Sequence, residues 1–183
     1  YLRIMFTGNI GEAQSFETMI KAASILKKKV KVEWFIIGDG RWKKKLKSEI
    51  IEFGLQSEIR LFNSVPITKI KSCFDRADVL YLSLKDNPTF RKTIPGKLQT
   101  YMSSGKPIIA SISGEAYNLI NNANCGLVSE AEDYEGLANN ILKFINFPNK
   151  HKIELGNNGL NYSKKYFNKK HIFKTLENEL LSI

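Results

Sequence analysis

Short apolar runs alternate with amphipathic stretches along most of this chain, and this alternation restricts the fold more than any other feature. Six runs have the length and composition of strands: residues 2–6, 32–37, 59–62, 79–83, 107–110 and 126–128. The stretches between them place apolar residues at helical spacing, as Phe16, Met19, Ile20 and Ala23 do. Strands alternating with helices predict right-handed β-α-β units. We therefore expect an α/β fold with a parallel sheet of about six strands and helices on both faces.

The chain divides into a sheet-forming part and a helical tail. Pro148 ends the alternating region, and from residue 149 onward the pattern is helical only. We expect one sheet domain over residues 1–148 and C-terminal helices over 149–183. No apolar run approaches the length of about 20 residues that crosses a bilayer. The chain begins inside a strand-like run without an initiator Met, so we expect it to be a piece of a longer polypeptide.

The net charge of +10 favours acidic partners without identifying them. Lysine clusters at residues 27–31, 43–47 and 164–170 fall on different predicted helices, where a solvated surface is one reading and attraction to anionic lipid or to a phosphorylated substrate is the other. Nucleic acid is not an expected partner, because no aromatic-basic recognition motif is present. Two cysteines without metal-ligand spacing indicate reduced thiols and a cytoplasmic protein, with peripheral contact at the inner face of the membrane left open.

The segment Pro95-Gly96-Lys97 predicts an anion site. Pro95 suits the first turn of a helix, Gly96 allows a ligand to approach the backbone, and Lys97 adds a full positive charge. The free N–H groups and the positive dipole end of a helix attract anions. Gly105 marks the predicted end of this helix, before the next strand. An ordinary junction between loop, helix and strand is the alternative.

Other candidate groups follow the remaining strands, where ligands of open α/β sheets bind. Gly8 and Gly11 allow close approach to an anion or form a plain turn, and residues 38–40 form a sharp turn. Residues 63–66 either pair with a planar base or simply connect two elements. Residues 84–93 form a long polar loop, whose Arg91 and Lys92 we expect near Lys97 as a cationic pocket for a diphosphate.

Taken in order, these segments resemble the C-terminal, donor-binding half of a retaining GT-B glycosyltransferase of the family 4 type. The branch that the chain resembles includes bacterial surface-polysaccharide enzymes such as fucosamine transferases. The segments that carry the resemblance are FTGNIG (6–11), AQ (13–14), IIGDG (36–40), VP (65–66), ADVL (77–80), TIPGK (93–97), YM (101–102), GKPIIA (105–110), GE (114–115) and CG (125–126). The resemblance implies a Rossmann-like nucleotide-sugar-binding domain, which is one half of a GT-B fold.

The resemblance also implies a role for individual residues. Lys97 and the N–H groups at its helix start hold the donor phosphates, and Arg91 stabilises charge on the departing diphosphate, so these two are the expected catalytic residues. Val65 offers its backbone to the nucleobase beside Pro66. The full set of expected donor-binding residues is Gly8, Asn9, Gly11, Gly38, Val65, Pro66, Thr93, Pro95, Gly96, Lys97, Leu98 and Thr100.

The chain departs from the family pattern at several of these positions. Many members carry a Glu-x7-Glu pair whose second Glu holds the ribose, and the corresponding positions here are Lys92 and Thr100. A single hydroxyl at Thr100 makes only part of a bidentate ribose contact. Gly96 stands where Ser is usual. Asn9 and Gln14 stand where many members have Arg and Lys.

The resemblance implies a hexosyl- or N-acetylhexosaminyl-type transferase of bacterial capsule, O-antigen or exopolysaccharide synthesis. It uses a nucleotide sugar as co-substrate, with a UDP-sugar favoured, and needs no metal or other cofactor. The acceptor-binding N-terminal domain, to which the tail would cross, is missing, so we expect this chain alone to bind the donor without efficient transfer. A lipid-linked acceptor would bring it to the membrane. The alternative is a nucleotide- or phosphate-binding module without transferase activity, which Thr100 suits.

Overall fold

The computed structural model describes residues 1–167, which form one six-stranded parallel sheet. The strands are β1 (Leu2–Thr7), β2 (Val32–Ile37), β3 (Ile59–Phe62), β4 (Val79–Ser83), β5 (Ile108–Ser111) and β6 (Gly126–Ser129). They lie in the order β3-β2-β1-β4-β5-β6, and every pair is parallel. All six predicted strands are confirmed, and the order reverses between β1 and β4, where α/β sheets of this kind bind ligands.

Helices cover both faces of the sheet, as the alternating pattern predicts. They are α1 (Phe16–Lys27), α2 (Lys43–Glu52), α3 (Ile67–Asp75), α4 (Pro88–Arg91), α5 (Gly96–Ser103), α6 (Glu115–Asn122), α7 (Tyr134–Ile145) and α8 (Asn149–Tyr166). One face, the back, packs against α1, α2 and α7. The other face, the front, packs against α3, α5 and α6. This division follows from right-handed crossovers that run outward in both directions from β1 and β4.

Strand β1 shows how the sequence supplies both cores. Leu2, Ile4 and Phe6 alternate into the back core, whereas Met5 points into the front core. Phe6 is fully buried and meets Phe16 of α1 edge to face, with ring centroids 5.0 Å apart. This contact in the back core holds the end of β1 in place, immediately before the Gly8 loop.

Two helix starts differ from the sequence prediction. Residues 88–91 form a single helical turn, α4, inside the predicted polar loop, because the Asn87 side chain accepts a hydrogen bond from the Thr89 N–H at 2.8 Å and Pro88 follows it. Pro95 lies one residue before α5 as its N-cap, since its ψ of 136° is extended. The placement of Pro95 inside the first turn was therefore wrong by one residue. Gly105 ends α5 at φ 72°, as predicted.

The described part of the predicted tail packs on the sheet domain. A Cβ on Gly156 of α8 would lie 2.1 Å from the Gly105 carbonyl oxygen, and one on Gly159 would lie 3.2 Å from Cys125 Cβ. Helix α8 therefore approaches the end of α5 at backbone distance. The rest of the tail prediction, residues 168–183, lies outside the described residues. Among residues 1–167, no helix has the length and apolar character needed to cross a bilayer.

Candidate anion-binding site

Lys97 lies at the point where the strand order reverses. It is the second residue of α5, which begins above the carboxyl ends of β1 and β4. A Cβ built on Gly8 would meet Lys97 Cε at 3.2 Å and Lys97 Nζ at 3.4 Å. The lysine side chain therefore crosses the Gly8 loop. The structure brings together the two glycine-containing segments that the sequence singled out, although they are about 90 residues apart.

The ammonium group of Lys97 has two defined neighbours. Lys97 Nζ donates a hydrogen bond to Gln14 Oε1 at 2.8 Å and lies 3.6 Å from the centroid of the Phe6 ring. Burial in this position lowers the pKa of Lys97 to about 7. A phosphate at the same place would favour the charged form and reverse that shift. Lys97 is thus a cation whose charge depends strongly on whether an anion is present.

The N-terminus of α5 opens onto free space. A Cβ on Gly96 would meet no atom within 4 Å, so Gly96 leaves the helix start accessible. The Leu98 N–H donates to Pro95 O at 2.9 Å, and the Leu98 side chain is buried in the front core. Leu98, an expected donor-binding residue, is therefore not presented to a ligand in this structure. The N–H groups of Gly96 and Lys97 remain for an anion.

The loops after β1 and β2 support each other through backbone contacts. The Gly8 N–H donates to Ile37 O at 2.9 Å, and the Ile10 N–H donates to Asp39 O at 2.7 Å. Gly38 is buried under this pair, and its Cβ would lie 1.9 Å from Gly8 O. Gly38 therefore acts by allowing the two loops to meet, whereas the sequence analysis expected it to bind the donor.

The rest of the glycine loop is shaped by one side chain. Asn9 lies over its own loop, because its amide nitrogen would be 2.7 Å from a Cβ on Gly11. Its amide oxygen would be 2.6 Å from a Cβ on Gly40, which has a φ of 154°. Both glycines thus make room for the Asn9 amide. Gly8 and Asn9 are exposed, so this loop presents polar atoms on the same edge of the sheet as Lys97.

Two buried hydroxyl groups, one on α5 and one on β4, hold the end of β1 and the loop that follows it. The buried Tyr101 hydroxyl of α5 accepts a hydrogen bond from the Thr7 N–H at 2.9 Å, where β1 ends. Burial raises the pKa of Tyr101 to about 12, so it stays protonated. On the opposite side of the loop, the Ser83 hydroxyl at the end of β4 donates to the Gln14 carbonyl oxygen. The residues around Lys97 are therefore held by buried side chains.

Arg91 pairs with a carboxylate on its own loop. Its Nε lies 2.6 Å from Asp86 Oδ1 and its Nη2 lies 2.8 Å from Asp86 Oδ2. This bidentate pair raises the pKa of Arg91 and lowers the pKa of Asp86. The backbone of Arg91 packs on Gly114, whose Cβ would lie 2.0 Å from Arg91 O. Of the cations expected around the diphosphate, Arg91 is therefore already paired with Asp86 in this structure.

The remaining predicted residues lie in or just before α3 and α5. The Thr93 hydroxyl donates to Phe90 O at 3.1 Å in the exposed turn before α5. Pro66 is the N-cap of α3, and Val65 packs its side chain against the front core. The exposed Thr100 donates to Gly96 O at 3.1 Å, one turn back along α5. Its hydroxyl proton is engaged within the helix.

Sequence reasoning missed three contributors to this site. They are Phe6, Gln14 and Tyr101, which contact Lys97 or the end of β1. All three lie in segments that carry the family resemblance, but no binding role was assigned to them. The signal available for Gln14 was its place in the first loop, where many resembling proteins have a cation. Among residues 1–167, no group of three or more His, Cys, Asp and Glu side chains is arranged to hold a metal ion.

Comparisons with known proteins place this chain in a family. The sequence model described as "Glycosyl transferases group 1" matches residues 2–162. The chain is 29% identical over 144 residues to the amylovoran biosynthesis glycosyltransferase AmsK of Erwinia amylovora, and covers 35% of it. It is 24% identical over 145 residues to the colanic acid biosynthesis glycosyltransferase WcaL of Salmonella typhimurium, and covers 36% of it. Each match covers 78% of this chain. The chain spans about a third of the length of these relatives.

Solved structures share the fold over most of the chain. Anabaena HepE in complex with UDP superposes with a TM-score of 0.83 and 16% identity, covering 100% of this chain and 49% of HepE. The C-terminal domain of LpcC from Francisella tularensis, a glycosyl transferase group 1 protein, gives 0.70 and 22%, covering 91% of this chain and 86% of that domain. At these identities the likeness shows the fold alone. From the match over residues 2–162, together with this fold, the chain belongs to the glycosyl transferases group 1 family, which has the GT-B fold.

Proposed function

We propose that this chain is the C-terminal, nucleotide-sugar-binding half of a retaining glycosyltransferase that acts in bacterial capsule, O-antigen or exopolysaccharide synthesis. The observation that carries the proposal is the Lys97 ammonium, held across the Gly8 loop at an open helix N-terminus. AmsK and WcaL, which belong to amylovoran and colanic acid biosynthesis, support the pathway class. HepE structures in complex with UDP and with UDP-glucose support a UDP-sugar as the donor.

The geometry suits the departure of a nucleoside diphosphate. As the glycosidic bond of the donor breaks, negative charge grows on the leaving phosphate. In our proposal the N–H groups of Gly96 and Lys97, the dipole of α5 and the Lys97 ammonium face that charge and stabilise the transition state. Arg91 contributes if it exchanges Asp86 for the phosphate, since both bonds are charge-assisted. No metal or other cofactor is required, because these groups compensate the charge.

The nucleoside half of the proposed site has fewer polar groups. We assign the base to the backbone of Val65 beside Pro66, and the ribose to Thr100. The Thr100 hydroxyl donates to Gly96 O, which leaves its oxygen as an acceptor for a single ribose hydroxyl. We therefore assign most of the donor affinity to the diphosphate.

The whole enzyme needs parts that this chain does not supply. We propose that an N-terminal domain of the same polypeptide binds the acceptor, so the isolated chain binds donor but transfers poorly. Location in the cytoplasm, with peripheral contact to an anionic membrane or a lipid-linked acceptor, is part of the same proposal.

A nucleotide- or phosphate-binding module without transferase activity is the second candidate. The observation that favours it is the engaged Thr100 hydroxyl, which stands where resembling proteins carry a ribose-binding Glu. The two candidates differ in whether the site binds the sugar of a nucleotide sugar. A donor site accommodates the sugar beside the exposed Gly8 loop, whereas a nucleotide module has no requirement for that space.

Calorimetric titration of this chain with UDP, GDP, ADP and several UDP-sugars tests the proposal. We expect UDP to bind and at least one UDP-sugar to bind in competition with it. Binding of UDP with rejection of every UDP-sugar would favour the second candidate. If no nucleoside diphosphate bound, both candidates would be wrong.

A further inference from the structure

Gln14 is the polar side chain that contacts the ammonium of Lys97. Its Oε1 accepts the hydrogen bond from Nζ at 2.8 Å, and this contact joins residues 83 positions apart in sequence. The Gln14 backbone is itself fixed, since its carbonyl oxygen accepts a hydrogen bond from the fully buried Ser83. Gln14 ends the short 3-10 turn Glu12–Gln14, and the next residue, Ser15, has a φ of 45°. The amide that meets Lys97 therefore sits on a tightly constrained loop.

We infer that Gln14 is a positioning residue for donor binding: its amide oxygen holds the Lys97 ammonium across Gly8, in line with the open N-terminus of α5. The inference rests on the proposed function and extends it. In this inference, the first loop acts on the diphosphate indirectly, because the neutral Gln14 directs Lys97. Many resembling proteins have a cation at the position of Gln14.

The choice of a neutral acceptor has a physical consequence. An amide oxygen accepts one hydrogen bond from the ammonium without neutralising it, so the remaining protons of Lys97 stay available for phosphate oxygens. A carboxylate at the same place would form an ion pair and compete with the phosphate. A lysine would repel the ammonium of Lys97. Glutamine therefore orients the cation and preserves its charge for the ligand.

The surrounding contacts make orientation necessary. The other close neighbour of the ammonium is the face of Phe6, whose ring centroid is 3.6 Å away. A ring face attracts a cation from above but defines no single direction for its N–H bonds. Without Gln14, we expect the lysine side chain to sample several rotamers over Phe6 and Gly8. Binding would then require the ordering that Gln14 now supplies in advance.

The first test measures the Lys97 pKa by NMR titration of its 13Cε signal, without any nucleotide. Gln14→Met keeps the length of the side chain but removes the strong acceptor, so we expect the pKa of Lys97 to fall. Gln14→Glu adds an opposite charge, so we expect this pKa to rise. A purely structural role for Gln14 in the loop would not move the pKa in opposite directions. Glu12→Gln in the same turn is the matched control, because Glu12 pairs with Lys85 at 2.7 Å.

The second test is a double-mutant cycle on UDP affinity, measured by calorimetry at pH 7. We expect Gln14→Met to weaken UDP binding about tenfold in the unsubstituted chain and to have almost no effect in Lys97→Ala. Equal losses in both backgrounds would overturn the inference, because Gln14 would then act independently of Lys97. Unchanged Lys97 pKa values in both Gln14 variants would also overturn it. Failure of the unsubstituted chain to bind UDP would instead contradict the proposed function, while the pKa test would still decide the contact.

Discussion

The protonation state of the Lys97 ammonium group is the property of this site that depends most directly on pH. Because burial lowers the pKa of Lys97 to about 7, much of the free protein carries a neutral amine at pH 8. A bound diphosphate raises this pKa, so binding above pH 7 takes up a proton. Uptake makes the affinity fall as the pH rises. We expect the Kd of UDP to rise by up to about tenfold between pH 7.5 and 8.5, measured by calorimetry in buffers of different ionisation enthalpy.

Lys97→Arg is the matched variant for this pH dependence. Arginine stays protonated throughout the range, so we expect the UDP affinity of this variant to be nearly independent of pH between 7 and 9. If the UDP affinity of Lys97→Arg fell with pH as steeply as that of the unsubstituted chain, a group other than Lys97 would be responsible for the pH dependence.

The lowered pKa of Lys97 also affects the stability of the protein. Between pH 7 and 10.5 the unfolded chain binds more protons at Lys97 than the folded chain, so this residue makes the free energy of unfolding increase as the pH rises.

Gly96 and Gly38 were both expected to bind the donor, but Gly96 borders open space whereas Gly38 is packed against the Gly8 backbone. Gly96→Ser adds a side chain in open space, so we expect an unchanged free energy of unfolding, within about 0.5 kcal/mol. Gly38→Ser places a Cβ 1.9 Å from Gly8 O, so we expect a loss of about 2–3 kcal/mol. Urea denaturation of both variants measures the difference. Equal stability of the two proteins would contradict the packing assigned to Gly38.

The residues of the site were predictable only where local rules determine them. Pro95, Gly96 and Lys97 form a helix start, and these three consecutive residues are enough to predict an anion site there. The contact between Lys97 and Gln14 could not be predicted, because it depends on how α5 lies against β1. Leu98 illustrates the same limit. Its N–H group bonds to the N-cap residue Pro95, and helical periodicity does not tell which N–H groups at a helix start are engaged in this way.

At the scale of elements, α5 is attached to β1 through one buried hydroxyl. Tyr101→Phe removes the acceptor of the Thr7 N–H and leaves that donor buried. We expect a loss of about 1–2 kcal/mol in the free energy of unfolding and weaker UDP binding, because the Gly8 loop follows Thr7. Tyr81→Phe is the matched control. Its buried hydroxyl accepts from no backbone N–H among residues 1–167, so its removal is expected to cost less than that of the Tyr101 hydroxyl. A larger loss for Tyr81→Phe would contradict this account.

The elements themselves were largely predictable, because periodicities of two and 3.6 residues reflect burial on one or two faces. All six strands and the principal helices follow from apolar spacing. The turn α4 was missed because four residues contain too little periodicity, and only the pair Asn87 and Pro88 indicates a helix start. The contact of α8 with α5 was also missed. It depends on Gly156 and Gly159 meeting particular backbone atoms, which sequence spacing does not reveal.

At the scale of the whole molecule, the chain is a Rossmann-like α/β domain of the glycosyl transferases group 1 family, and it covers about a third of its curated relatives' length. The described residues bring two loops and one helix N-terminus together at the reversal of strand order. We propose that this arrangement binds a diphosphate. In our proposal, the transfer of a sugar requires the acceptor-binding part of a longer polypeptide. Separation of binding from transfer is therefore the expected behaviour of this chain.

The central claim is that Lys97, at the N-terminus of α5, binds the diphosphate of a nucleotide-sugar donor. Calorimetric titration of UDP and of uridine into the unsubstituted chain and into Lys97→Ala at pH 7 tests this claim most directly. We predict that UDP binds far more tightly than uridine and that Lys97→Ala weakens UDP binding at least tenfold, which is about 1.4 kcal/mol, while uridine binding is unchanged. Equal UDP affinity in the two proteins would contradict the claim.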